Sequence, residues 1–176
     1  MEKNKLDIQV LLEISLNQRL QGGIDTALDQ VLKLYMRKLN CFAAAVYRDT
    51  NLRLIKPQAL TKKPEWEGKL ASIAEKIKNH TPEAFHIADE ESHFYMLPLA
   101  DYGWLVLVRK IEFSLEMLLE LSKVVYQLGR DLSQLQEEDR LKLLQDLFDN
   151  SSDAIHIIEE DGKLYYVNHE AAERMG

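Results

Sequence analysis

The 176-residue sequence predicts an α+β fold, one mainly antiparallel sheet flanked by helices and followed by a long C-terminal helix. Three observations carry this expectation. Two stretches near the N-terminus repeat apolar residues at the helical period. Five short β-rich runs follow, most of them joined by polar turns. Residues 114–150 then contain no proline and one glycine, Gly129, so little interrupts a helix there. Strands and helices in this order suit a sheet with helices packed against it.

Each element has its own signal. Leu6, Val10, Leu12, Leu16 and Leu20 mark a first helix over Leu6–Leu20, ended by Gly22-Gly23. Ile24, Leu28, Val31, Leu32, Tyr35 and Leu39 give a second, which Asn40 breaks. Cys41–Arg48 and Leu52–Leu60 read as strands around the turn Asp49-Thr50-Asn51. Pro57 makes the second an edge strand or ends it early, because proline has no N–H for the ladder. Pro64 opens a third helix, where its missing donor costs nothing, and Trp66, Leu70, Ile73 and Ile77 form its stripe to about Asn79. Strands follow at Ala84–Ala88 and His93–Leu99, and the turn Asp101-Tyr102-Gly103 leads into Trp104–Arg109. That last run is apolar on both faces, as in a buried central strand. Ser114 caps the long helix, with Glu116 and Glu120 in its first turns.

Composition narrows the function classes. With 22 basic against 29 acidic residues the net charge is −7, which disfavours nucleic acid and anionic membrane as partners. The one cysteine, Cys41, excludes an internal disulfide and a cysteine-rich zinc site. The N-terminus lacks the pattern of a signal peptide, and no run approaches the ~18 apolar residues of a membrane span. A cytoplasmic location is expected. No phosphate loop, Gly-x-Ser-x-Gly or Ser/His/Asp arrangement is present, so the chain is not expected to be an enzyme.

The end of the chain carries a distinct signal. Ala154–Glu159 and Lys163–Val167 are strand-like runs around Asp161-Gly162, a pair that favours a type I′ turn, and Asn168 can cap a following helix. The string from Asp149 to Gly176 resembles the start of a PAS domain, with its lead-in helix, Asp-Gly turn, Val-Asn strand end and Ala-Ala helix. A hairpin and one helix bury too little to stand alone, so this resemblance implies a truncated domain within a longer sensory protein, and mobility or repacking of the stub. Residues 5–135 resemble a GAF domain. The resembling segments are GIDTALDQVLKLYMRKLNCFAAAVYR, the strand pair FYMLPLADYGWLVLVRK and the helix FSLEMLLELSKVVYQLGRDL. Together the resemblances imply a GAF-like sensory domain over 1–112, a closing and signalling helix over 113–150, and a PAS N-terminus over 151–176. They also imply a parent protein with a histidine kinase or diguanylate cyclase output.

Several residues are candidates for a site. Leu118, Leu121, Val125, Leu128, Leu132 and Leu135 alternate spacings of three and four, a heptad seam that predicts a parallel homodimer. Packing on the chain's own sheet is the alternative. Polar residues 136–140 then break the phase before Leu141, Leu144, Leu147 and Phe148, a place where two registers could transmit a signal. If Ala88 pairs with His93, then His86, His93 and Tyr95 share one strand face. That group could touch a small ligand or, with Asp89 or Glu90, a metal, but the spacing matches no familiar ligand pattern and no metal is expected. Tyr47 and Trp66 join His86, His93 and Tyr95 as weak pocket candidates. Cys41 is read as a buried hydrophobe. GAF relatives attach bilins through a later cysteine usually followed by histidine, so no covalent chromophore is expected. Their cyclic-nucleotide signature is also missing. The cofactor is left unknown, and the second reading is a ligand-independent docking module.

Overall fold

The computed structural model of the chain describes residues 2–18, 20–81 and 83–175. The side chain of Leu6, and Gly176, lie outside the described residues. The fold is α+β, with a five-stranded antiparallel sheet flanked by helices. In chain order the elements are α1 (Glu2–Asn17), α2 (Ile24–Lys38), β1 (Ala43–Arg48), β2 (Asn51–Lys56), a 3-10 turn (Gln58–Lys62), α3 (Pro64–Asn79), β3 (Phe85–Ala88), β4 (His93–Leu99), β5 (Gly103–Arg109), α4 (Leu115–Asp149), β6 (His156–Ile158), β7 (Leu164–Val167) and α5 (His169–Met175). The chain divides into two compact units, Met1–Leu135 and Gln136–Gly176. The division falls inside α4, where the polar stretch begins.

In the first unit the strand order is β2-β1-β5-β4-β3. β2 lies at an edge and stops at Lys56, before Pro57, so proline acts here in both of the ways the sequence suggested. β5 is central and buried on both faces from Trp104 to Val108. Alternation along the strands divides the apolar residues between two cores. Ala44, Val46, Tyr95, Leu97, Leu99, Leu105 and Leu107 face α1, α2 and α4. Ala43, Ala45, Tyr47, Phe94, Met96, Trp104, Val106 and Val108 face α3, through Trp66, Ile73 and Ile77. The path from β2 to β3 runs between opposite edges of the sheet, and α3 covers that second face on the way.

The helix ends follow their sequence signals. Asn40 takes a left-handed φ of 52° after α2, and the Cys41 N–H donates to the Met36 carbonyl at 2.9 Å, the six-residue closure of a Schellman end. Ser114 Oγ accepts from the Met117 N–H at 3.2 Å, satisfying a donor that the first turn of α4 leaves open.

The seam along α4 turns inward. Leu121, Val125, Leu128 and Leu132 are fully buried in the core shared with the sheet, and Leu118 and Leu135 pack against it. The spacing that predicts a dimer seam at these six positions coincides with a stripe packed in the chain's own core, four of them fully buried and Leu118 and Leu135 partly so. Gly129 shows how closely α4 lies on the sheet, since a Cβ there would sit 2.0 Å from the carbonyl carbon of Leu99.

In the second unit β6 and β7 pair antiparallel. Asp161-Gly162 does not form the expected type I′ turn, which needs two left-handed residues. Only Gly162 has positive φ, at 84°, and its N–H donates to the Glu159 carbonyl at 2.9 Å. This is a turn centred on Glu160 and Asp161, with glycine taking the left-handed position that follows. Asn168 is fully buried. Its Oδ1 accepts from Ile155 N at 2.8 Å and Ala171 N at 3.0 Å, and its Nδ2 donates to the carbonyls of Phe148 and Asp153, both at 2.9 Å. One side chain thus fills its four hydrogen-bonding positions, capping α5 and closing the hairpin. Ile157, Ile158, Leu164 and Tyr165 remain exposed, whereas Ile155, Tyr166 and Val167 are half-buried.

Candidate functional site

The predicted register of the β3–β4 hairpin is the observed one, with Ala88 opposite His93 and His86 opposite Tyr95. The two histidines and the tyrosine therefore project from one face, toward the α1, α2 and α4 side. His86 Nε2 and His93 Nδ1 are 3.0 Å apart. The His86 ring stacks on Tyr95, with centroids 4.6 Å apart and planes 13° from parallel. Tyr47 and Trp66, the other pocket candidates, lie in the core on the opposite side of the sheet. They cannot line the same space: Tyr47 and Tyr95 sit at strand positions of opposite parity. Tyr47 donates its hydroxyl to the Leu70 carbonyl at 3.2 Å and serves the packing of α3.

A residue the sequence reading missed completes the cluster. The carboxylate of Glu112 comes within 4.8 Å of a ring nitrogen of each histidine. Tyr95 accounts for its position, because its hydroxyl accepts the N–H of Phe113 at 2.8 Å. That bond fixes the segment between β5 and α4 above the strand face, and Glu112 is the preceding residue. Phe113 also packs on the Tyr95 ring, with centroids 4.6 Å apart. Arg109, opposite His93 across the ladder, lays its guanidinium over Phe113 at 4.1 Å. Its buried Nε has no hydrogen-bond partner among the described residues.

Asp89, offered by the sequence as a partner for the histidines, is otherwise engaged. It accepts from the backbone N–H groups of Glu91 and Ser92 at 3.0 and 2.7 Å and from Lys69 Nζ at 2.7 Å. These bonds, that from Lys69 first, hold its carboxyl below the usual range. The His86 imidazole is pushed down by burial and then by the neighbouring His93, against a smaller upward pull from Glu112. Both shifts from burial and His93 favour neutral His86. Cys41 is buried, and burial pushes its thiol up to about 12, as for an inert core cysteine.

A second feature lies on the helical face of the first unit. Leu115, Leu119, Ser122 and Tyr126 step by four, three and four residues along α4. Leu119 and Tyr126 are 56% and 51% exposed, and Leu12 and Leu16 of α1 are 57% and 65% exposed. A groove of about 550 Å³ runs between these helices, lined by Leu16, Val124, Lys123, Gln127 and Asp131 among others. No helix among the described residues is long and apolar enough to cross a membrane.

No protein-family model matches the chain, and no curated protein matches it. Among solved structures the chain is similar to one described as MglB with tetrameric arrangement, at 16% identity and a TM-score of 0.50, covering 66% of this chain and 95% of that one. At this identity the likeness concerns the α+β fold alone. A second structure, the E. coli DhaR(N)-DhaL complex, is 17% identical over 94% of this chain and 63% of that one, at a TM-score of 0.34. That similarity is too low to bear on the fold.

Proposed function

We propose that the chain is a non-catalytic regulatory module that self-associates through the outer face of α4 and passes changes in its sheet domain along that helix. The observation that carries this reading is the double-sided character of α4. Its inner face is fully committed to the core at Leu121, Val125, Leu128 and Leu132, while its outer face exposes Leu115, Leu119 and Tyr126, and α1 exposes Leu12 and Leu16. A helix spacing of four, three and four suits a twin helix as partner, and a twofold contact needs only one self-complementary patch. The tetrameric arrangement named for MglB supports self-association as a property compatible with this fold. The resemblances to GAF and PAS domains extend the proposal to a sensory segment of a kinase or cyclase, with α4 as its signalling helix and residues 151–176 as the start of a further domain.

Analytical ultracentrifugation tests the core of the proposal. The intact chain should sediment as a dimer that dissociates on dilution, and Leu119→Glu with Tyr126→Glu should sediment as a monomer with unchanged circular dichroism. A monomer at every concentration of the unmodified chain contradicts it. The docking alternative then requires a different partner on the same face.

A further inference from the structure

We infer that His86, His93 and Glu112 form a binding site for one first-row divalent transition-metal ion, with zinc the first choice. The inference stands apart from the regulatory reading, since it rests on the β3–β4 hairpin and the segment before α4 rather than on self-association.

Three donors from three separate segments converge. Two imidazole nitrogens, His86 Nε2 and His93 Nδ1, lie 3.0 Å apart, close to the roughly 3.3 Å that separates ligand atoms in a tetrahedral zinc site with bonds of about 2.0–2.1 Å. A carboxylate oxygen of Glu112 lies within 4.8 Å of a ring nitrogen of each histidine. Glu112 is exposed, so its side chain is free to swing inward by the remaining distance. Imidazole and carboxylate together suit zinc, cobalt, nickel, iron or copper rather than magnesium or calcium. Three protein ligands leave at least one position for water or a small ligand.

The surroundings are those of a held site rather than a chance meeting of side chains. His86 is stacked on Tyr95, and the same Tyr95 fixes the Phe113 backbone through its hydroxyl. One residue thus orients an imidazole and positions the segment bearing the carboxylate, the kind of support that metal ligands need. The competing occupant is an anion held by the two histidines and Arg109. Glu112 opposes it, because its negative charge faces the same space and favours a cation.

Calorimetric titration of the untagged intact chain with zinc, and with cobalt(II) followed by its visible absorption, tests the inference. One ion should bind per chain, and cobalt should show the intense bands of a four- or five-coordinate site. His86→Ala and Glu112→Gln should each weaken binding by more than about a hundredfold, beyond the roughly 10–100-fold expected for the supporting change Tyr95→Phe. His156→Ala should change nothing. If His86→Ala proves unfolded, imidazole nitrogen shifts in the unmodified chain decide the matter: zinc should move the resonances of His86 and His93 and leave those of His80, His156 and His169. No binding by the unmodified chain overturns the inference. So does equal binding by the variants, or binding of inorganic phosphate at the histidines with no metal bound.

Discussion

Two glycines within helices should respond to alanine with opposite signs, and the contrast reports how α4 is seated. Gly68 lies inside α3, and a Cβ there meets nothing within 4 Å. Alanine should therefore stabilise the first unit by up to about 1 kcal/mol, the difference in helix propensity. At Gly129 the added carbon would lie 2.0, 2.1 and 2.5 Å from the carbonyl carbon, oxygen and Cα of Leu99, against about 3.5–4.0 Å for a relaxed contact. Backbone cannot rotate away, so α4 must lift by roughly 1.5 Å. Lifting thins the packing of Leu121, Val125, Leu128 and Leu132, each fully buried and each contributing about 1.5–3 kcal/mol. Losing about a third of that total removes roughly 2–4 kcal/mol, and the propensity gain returns about 1. The net is a destabilisation of about 1–3 kcal/mol, the range found for overpacking, or a fall in melting midpoint of roughly 2–10 °C. Urea unfolding followed by tryptophan fluorescence is the assay, since both tryptophans, Trp66 and Trp104, lie in the first unit. A Gly129→Ala chain as stable as the parent would mean that α4 does not lie on Leu99, and the assignment of its inner face would fail.

The second unit should depend on Asn168. Asn168→Ala removes an N-cap and leaves the Ile155 N–H without its acceptor, so amide protection in β6 and β7 should fall at least about fivefold by hydrogen exchange, for a loss of ~1–3 kcal/mol; unchanged protection would refute the role. Alkali should unfold the first unit. Burial raises the phenol pKa of Tyr35 and of Tyr47 above the usual 10, so the native state keeps protons that the unfolded chain releases. Stability is therefore intact below about pH 10 and falls above it, by up to about 1.4 kcal/mol per pH unit for each tyrosine. The ring resonances of Tyr35 and Tyr47 should report ionisation in one cooperative step together with loss of helix, whereas their gradual ionisation in a folded chain would contradict the burial of these hydroxyls.

Much of the architecture was legible because its causes are local. Asn40, Ser114 and Asn168 act within a few residues of where they stand, and Pro57 stops β2 by lacking a donor. The alternation of β3 and β4 fixed which residues share a face with His86 once a single pairing was assumed. The face of α4 was not legible in the same way. A heptad seam and a core-facing stripe drift apart by only about 20° per seven residues, so Leu118 to Leu135 fit either a twin helix or the chain's own sheet. Gly129 offered a signal, since a lone glycine in a long helix often marks close backbone approach. The exposure of Leu119 and Tyr126 has no counterpart in the spacing, since apolar positions fall on more than one side of this helix. Glu112 was missed because its approach to the histidines depends on the bond between the Tyr95 hydroxyl and the Phe113 N–H, a contact between distant positions that no spacing encodes. The pocket grouping failed for a simpler reason: Tyr47 and Trp66 belong to the α3 side of the sheet.

Oxidative cross-linking of single cysteines along α4, in a Cys41→Ala background, tests the self-association reading most directly. A disulfide forms only where two Cα atoms approach within about 7 Å, so each position reports whether a twin helix lies there. Cysteine at Leu119 or Tyr126 should give covalent dimers, and cysteine at Leu128 or Leu132 should give none. Dimers through Leu128 or Leu132, or no dimer at any of the four positions, would contradict it.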